Sequence, residues 1–214
     1  MKDITKKTYE RIDVVEKYYE RYSNVPDYFE INISKLVKNF PGKKLLDVGC
    51  GPGQFSRIFA EKGFDVIGID YSEAMLEKAK SLMDGKTRAQ FKVMDMRKVK
   101  KYFKAHTFDV IWATASLLHL NKEDIPTLLE DFKHILKPGG HIYLLLKLGE
   151  QGTIFLNDGD LGEGVVRKFT FLNETWFENL LNRLNFSIIE KKLKKGSVIE
   201  GKPSSWGHYW VKSE

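Results

Sequence analysis

The run Leu45-Leu46-Asp47-Val48-Gly49-Cys50-Gly51-Pro52-Gly53 leads an apolar segment straight into alternate glycines, and Val66-Ile67-Gly68-Ile69-Asp70 ends a second apolar segment on an acid. In a doubly wound sheet, glycines at such a turn allow a sharp bend and the close approach of a ligand to the backbone. An acid about twenty residues further on stands where it accepts hydrogen bonds from ribose hydroxyls. The chemistry so indicated is the holding of a nucleoside. The spacing departs from the dinucleotide fingerprint, because Gln54 stands where glycine or alanine would be needed, and no G-x-x-x-x-G-K-[ST] phosphate loop occurs. A turn that uses glycines for steric reasons alone is the alternative reading.

Further segments follow in a fixed order. Asp47 heads an acid-x-G-x-G-x-G turn, and Asp70 is followed by Tyr71 and by Ser72, placed to cap a helix from Glu73. Phe91-Lys92-Val93-Met94-Asp95-Met96 reads as a third strand ending near an acid. Phe108-Asp109-Val110-Ile111-Trp112-Ala113 reads as a fourth, and Leu136-Lys137-Pro138-Gly139-Gly140-His141 as the turn into a fifth. Together these resemble the class I S-adenosylmethionine-dependent methyltransferases. The resemblance implies S-adenosyl-L-methionine as cofactor and S-adenosyl-L-homocysteine as product. The residues it assigns to the cofactor are Asp47, Gly49, Cys50, Gly51, Gly53, Asp70, Tyr71, Asp95, Met96 and Ala113, with Asp95 against adenine.

The elements that must position these residues alternate along the chain. Tyr9, Ile12, Val15, Tyr19 and Tyr22 lie near a three-and-four spacing, which predicts one amphipathic helix over Thr5–Tyr22. A second runs from Pro26 to about Phe40, where Pro41-Gly42 breaks it. Helices are expected at Gln54–Glu61, Glu73–Met83, Lys122–Leu136 and Glu174–Leu184. Strands are expected at Lys44–Val48, Asp65–Ile69, Gln90–Val93, Asp109–Trp112, His141–Lys147, Ser187–Leu193 and Ser205–Lys212. Leu148–Arg167 shows no clear periodicity and reads as a mobile or ligand-covering loop. Alternating strands and helices joined by right-handed crossovers give an α/β fold, a doubly wound, mostly parallel sheet with its ligand at the carboxyl ends of the strands. The resemblance adds a Rossmann-like sheet of seven strands with the last antiparallel. Residues 1–40 are expected to form a helical lid on a methyltransferase domain spanning 41–214, the whole being one compact domain.

At 214 residues the chain buries a substantial core. No run of eighteen apolar residues and no apolar leader follow the charged start MKDITKKTYE, so a cytoplasmic protein without a membrane span is expected. The lone Cys50 excludes an internal disulfide. A net charge of +6 and a pI near 9.1 are compatible with a polyanion. The lysines at 98, 100, 101 and 104 and at 191, 192, 194 and 195 either touch phosphates or form solvated faces.

The acceptor is narrowed by exclusion. Pyrimidine C5 methylation needs a cysteine nucleophile, and Cys50 is committed to the turn. Ala113-Thr114-Ala115-Ser116 replaces the [DNS]-P-P-[YF] tetrad of amino-group enzymes acting on adenine or glutamine, and the five histidines lack a metal-ligand spacing. Ile111-Trp112-Ala113-Thr114-Ala115-Ser116-Leu117-Leu118-His119-Leu120 resembles the I-W-A-x-A-S-L-L-H tract of a bacterial group, with which Lys147-Leu148-Gly149-Glu150, Arg167-Lys168-Phe169 and Trp206 also correspond. Val166 in place of a glycine, and Gly207-His208 in place of Leu-Asn, depart from that group. Two catalytic candidates result. His119 either deprotonates or orients a hydroxyl, or is bonded to loop backbone. Arg167 either grips a carboxylate or phosphate bidentately, or pairs with Glu163 or Glu174. Tyr9, Tyr18 and Tyr19 either close the pocket or belong to the core. The leading expectation is methyl transfer to oxygen or nitrogen of a small polar, anionic molecule. A tRNA-modifying enzyme and a non-catalytic cofactor-binding protein are the alternatives.

Overall fold

Apolar residues on both faces of the central strands call for a sheet buried between two helical layers, and a computed structural model shows one. It describes residues 4–24, 27–40, 43–83 and 89–214. In chain order the elements are α1 (Ile4–Tyr9), α2 (Ile12–Tyr22), α3 (Asp27–Asn39), β1 (Lys44–Val48), α4 (Gln54–Glu61), β2 (Asp65–Asp70), α5 (Glu73–Ser81), β3 (Ala89–Val93) and α6 (Val99–Tyr102). They continue with β4 (Phe108–Thr114), α7 (Asp124–Ile135), β5 (Leu136–Gly149), β6 (Thr153–Asn157), β7 (Val166–Thr170), α8 (Glu174–Arg183), β8 (Phe186–Lys195) and β9 (Ser204–Ser213). Among the described residues no helix is long and apolar enough to cross a membrane.

The main sheet has seven strands in the order β3-β2-β1-β4-β5-β9-β8. Strands β1 to β5 are parallel, and β9 is antiparallel to both β5 and β8. Alternation sends Leu45, Val110 and Trp112 to one face, against Phe29, Ile33 and Leu36 of α3 and Phe59 of α4. Leu46, Ile111 and Ala113 point to the other, against Leu128 and Phe132 of α7 and Phe177 of α8. Trp112 stacks on Tyr143 with ring centroids 4.1 Å apart. Each such side chain taken fully from water contributes about 1.5–3 kcal/mol, which holds the strand ends in fixed relation. The strand order reverses between β1 and β4, and the crevice at their carboxyl ends is where a doubly wound sheet takes its ligand.

Two expectations are corrected. The helix over Thr5–Tyr22 is two helices, broken at Glu10–Arg11, where Arg11 is extended with φ −79° and ψ 122°. The break has a cause in α5: Glu10 turns its carboxylate to accept from the backbone N–H groups of Glu73 and Ala74, and Ser72 donates to the Tyr9 carbonyl. Ile12, read as part of the apolar stripe, is consequently exposed. The Leu148–Arg167 stretch is not an irregular loop. It contains β6 and leads into β7, and these pair as a separate two-stranded ribbon. That ribbon is docked on α1 through Thr8, whose hydroxyl donates to the Val166 carbonyl, and Thr5, which accepts from Lys168 N–H. Strand β5 is longer than expected and begins at Leu136. Pro26 and Pro41-Gly42, read as a helix start and a helix end, lie outside the described residues.

Candidate active site

The glycine turn is folded onto the end of β2 by its own backbone. Gly49 and Cys50 N–H groups both donate to the Ile69 carbonyl, at 2.8 and 3.0 Å. Gly49 has φ +69°, and a Cβ there would lie 2.4 Å from the Ser116 Cβ, so both conformation and space require glycine. The turn aims Gly51 N–H at Asp70, whose Oδ2 accepts it at 3.0 Å while Oδ1 accepts from Ser72 N–H at 2.9 Å. A carboxylate has about four lone-pair sites, so Asp70 keeps acceptor capacity for ligand hydroxyls. Burial pushes its carboxyl up to about 6, against the pull of those N–H groups.

Asp47 sits behind this surface. It is buried, accepts from the Ser56 hydroxyl at 2.7 Å, and is pushed up to about 7 by burial. It therefore ties β1 to α4 and supports the turn. Cys50, Gly53 and Ala113 are buried as well, and with Asp47 they fall outside the lining of the cleft. Gly53 takes φ +78° at the start of α4.

The cleft spans about 830 Å³, the open solvent at its mouth included. Gly49, Gly51, Asp70, Tyr71, Asp95 and Met96 line it, and so does His119. Asp95 caps a single turn by accepting from Arg97 N–H at 3.0 Å and is forked by the same arginine's guanidinium. Burial raises its carboxyl, but the bonds from Arg97 outweigh that and leave it below the usual value. Ser116 also lines the cleft; its hydroxyl is buried with no hydrogen-bond partner among the described residues, at a site where a ligand would supply one.

A second, larger chamber of about 1770 Å³ adjoins the first, sharing Tyr9, Tyr18, Thr114, Ala115 and His119. Ala115 holds φ +51° at this junction, a conformation costly for a non-glycine residue. His119 Nδ1 lies 2.7 Å from the Lys168 carbonyl, which can only accept, so Nδ1 carries a proton. Nε2 is 3.4 Å from the Tyr9 hydroxyl. Arg167 Nη1 donates to that hydroxyl at 3.1 Å, and its Nη2 pairs with Asp158. The alternative pairing of Arg167 with Glu163 or Glu174 is replaced by this buried pair, and the guanidinium lines the second chamber, sharing Asp158 with Arg21. His119 and Arg167 are thus brought together, through Tyr9 of the N-terminal segment. Lys147 and Trp206 also line the chamber, with Lys147 Nζ 4.0 Å from the Trp206 ring centre. Both were visible in the sequence only as matches to a tract, although a lysine inside Leu144-Leu145-Leu146-Lys147-Leu148 is itself a signal.

The sheet order, the glycine turn and the acid at the end of β2 define the class: the fold is that of the S-adenosylmethionine-dependent methyltransferases. Residues 45–140 match the family model of a methyltransferase domain. Phosphoethanolamine N-methyltransferase 3 of Arabidopsis thaliana is 41% identical over 106 residues, which is 49% of this chain and 21% of that protein. The chain thus spans about a fifth of the length of this curated relative. A Methanosarcina mazei S-adenosylmethionine-dependent methyltransferase structure superposes with a TM-score of 0.69 at 22% identity, covering 83% of this chain and 96% of the other. A Haemonchus contortus phosphoethanolamine N-methyltransferase 2, solved with phosphomonomethylethanolamine and S-adenosylhomocysteine, gives a TM-score of 0.69 at 18% identity over 93% of this chain and 56% of that one.

Proposed function

We propose that this chain transfers the methyl group of S-adenosylmethionine to an oxygen or nitrogen nucleophile of a small anionic molecule. The observation that carries the reading is the pair of adjoining chambers. One is built on the glycine turn and Asp70, the other opens at His119, and Ala115 stands between them. Gly51, Asp70, Tyr71, Asp95 and Met96 are the residues that would hold the nucleoside, with the ribose on Asp70 and Ser116 offering an unspent hydroxyl. The cofactor brings the sulfonium methyl group. What the protein supplies is orientation of the nucleophile and, where the acceptor is protonated, a base. His119 Nε2 fills that role, its tautomer fixed by the Lys168 carbonyl.

Of the helices up to residue 40, α1 and α2 serve as the lid, since Tyr9 and Tyr18 line both chambers, while α3 packs on the sheet. The resemblance to the bacterial group with the I-W-A-x-A-S-L-L-H tract belongs to the same reading, because that tract supplies Ala115, Ser116 and His119. A tRNA acceptor is less well supported: neither lysine cluster contributes to the lining of the chambers, while Lys100 pairs with Asp131 and Lys191 with Glu174 and Glu178.

The test is incubation with methyl-labelled S-adenosylmethionine and a panel of hydroxy- and amino-acids, following S-adenosylhomocysteine release. Acceptor-dependent release is expected, and His119→Ala should lower kcat by about 10²–10⁴-fold with a small change in KM. Cofactor binding with no turnover on any acceptor, tRNA included, would favour the non-catalytic alternative.

A further inference from the structure

Strand β5 carries Tyr143, Leu145 and Lys147 on one face by its two-residue period. Tyr143 and Leu145 join the apolar cluster around Phe29 and Trp112, so Lys147 extends a buried face with a cation. It is 7% exposed. Its ammonium lies 4.0 Å from the Trp206 ring centre and 6.0 Å from that of Phe171, and among the described residues no carboxylate pairs with it. A leucine or methionine would fill the position at no desolvation cost. Burial pulls the amine below its ordinary value, a cost that the facing aromatic rings offset only in part.

The other charged side chains of the second chamber meet partners. Arg167 and Arg21 both pair with Asp158, and Arg21 also reaches Asp160, which lies outside the lining. Lys147 is the lining cation that no carboxylate of the described residues pairs with. Around it the walls are mostly apolar, with Phe29, Phe55, Leu118, Leu145, Phe171 and Trp206 among them.

We infer that Lys147 recognises the acceptor substrate, and that the acceptor is a monocarboxylate with an aromatic or aliphatic body lying in the second chamber. The inference deepens the methyl-transfer reading and rests on it for the word acceptor. One buried ammonium without a carboxylate partner matches one carboxylate of the acceptor. The apolar walls confine the acceptor's polarity to the carboxylate and the nucleophile, which narrows the expectation of a small polar molecule. Arg167, expected to anchor the anion, instead holds Tyr9 beside His119.

The test uses phenylacetate, 3-phenylpropionate and 4-phenylbutyrate with their amides as probes, titrated calorimetrically into the protein with and without S-adenosylhomocysteine. At least one acid should bind about tenfold or more tighter than its amide, the ratio expected for one charge-assisted contact. Lys147→Met should reduce that ratio to about one while leaving amide affinity within about twofold, and Lys147→Arg should retain the preference. Unaltered S-adenosylhomocysteine binding by the Lys147→Met protein shows that the variant is folded, and if it does not fold, the wild-type acid-to-amide ratio and the Lys147→Arg protein decide. Equal binding of acid and amide by the wild type, no binding of any acid at millimolar concentration, or a preference that survives Lys147→Met would overturn the inference. Failure of S-adenosylhomocysteine to bind would instead strike the methyl-transfer reading, and acid selectivity measured without it still judges Lys147.

Discussion

Asp70 and Asp47 are both buried carboxyls on neighbouring strands, yet the structure gives them separate tasks. Asp70 lines the cleft, and in the proposed site its lone pairs take the ribose hydroxyls, so Asp70→Ala should weaken S-adenosylhomocysteine binding by about 1.5–3 kcal/mol; an unchanged affinity removes it from the site. Asp47 is held by Ser56 behind the turn, and its role is read through pH. Burial pushes it up to about 7 from an ordinary 3.8, so the folded protein holds this proton more tightly than the unfolded chain. Its contribution is therefore fully present below about pH 4, declines as pH rises to about 7, and is flat above. Asp70, pushed up to about 6, adds in the same direction. Denaturant titrations from pH 4 to 8 should show stability falling less steeply in Asp47→Asn than in the wild type. Parallel profiles would mean that Asp47 is not a buried neutral acid. The slope is the readout, because an asparagine leaves a buried amide N–H₂ to satisfy.

Elements whose signals are local were legible, and those held by distant partners were not. The glycine turn, Asp70 and the Ser72 cap follow from residues within a few positions of one another, and Ser72 does accept from Met75 N–H at 3.1 Å. The break between α1 and α2 could not be read, because its cause is Glu10 reaching α5, far along the chain. Likewise β6 and β7 are short strands whose ribbon is held by Thr5 and Thr8 of α1, so its own sequence shows little period. In the proposed lid, these contacts hold the first helix closed over the site. Glu10→Ala should cost about 1 kcal/mol as a lost cap and speed amide hydrogen exchange in α1 and the ribbon while leaving β1 and β4 protected. Equal protection throughout would contradict a lid.

Across the molecule, the parallel strands and their helices form a platform whose crevice sits at the reversal of strand order. That half of the site was written in motifs, because binding one nucleoside constrains a few adjacent backbone and side-chain groups. The second chamber, the proposed acceptor site, draws on α1, the end of β4, β5, the ribbon and β9, and its walls at Tyr9, His119 and Lys147 exist only after folding. The net charge of +6 says little about it, since most of the lysines that make it up lie outside the chamber, whose lining holds Lys147 alone among them. Cofactor binding is the claim on which the rest depends, and calorimetric titration with S-adenosylmethionine and S-adenosylhomocysteine tests it most directly. Saturable heat at one site per chain, with micromolar affinity for both, is the expected result. No heat at high micromolar ligand with demonstrably folded protein would contradict it.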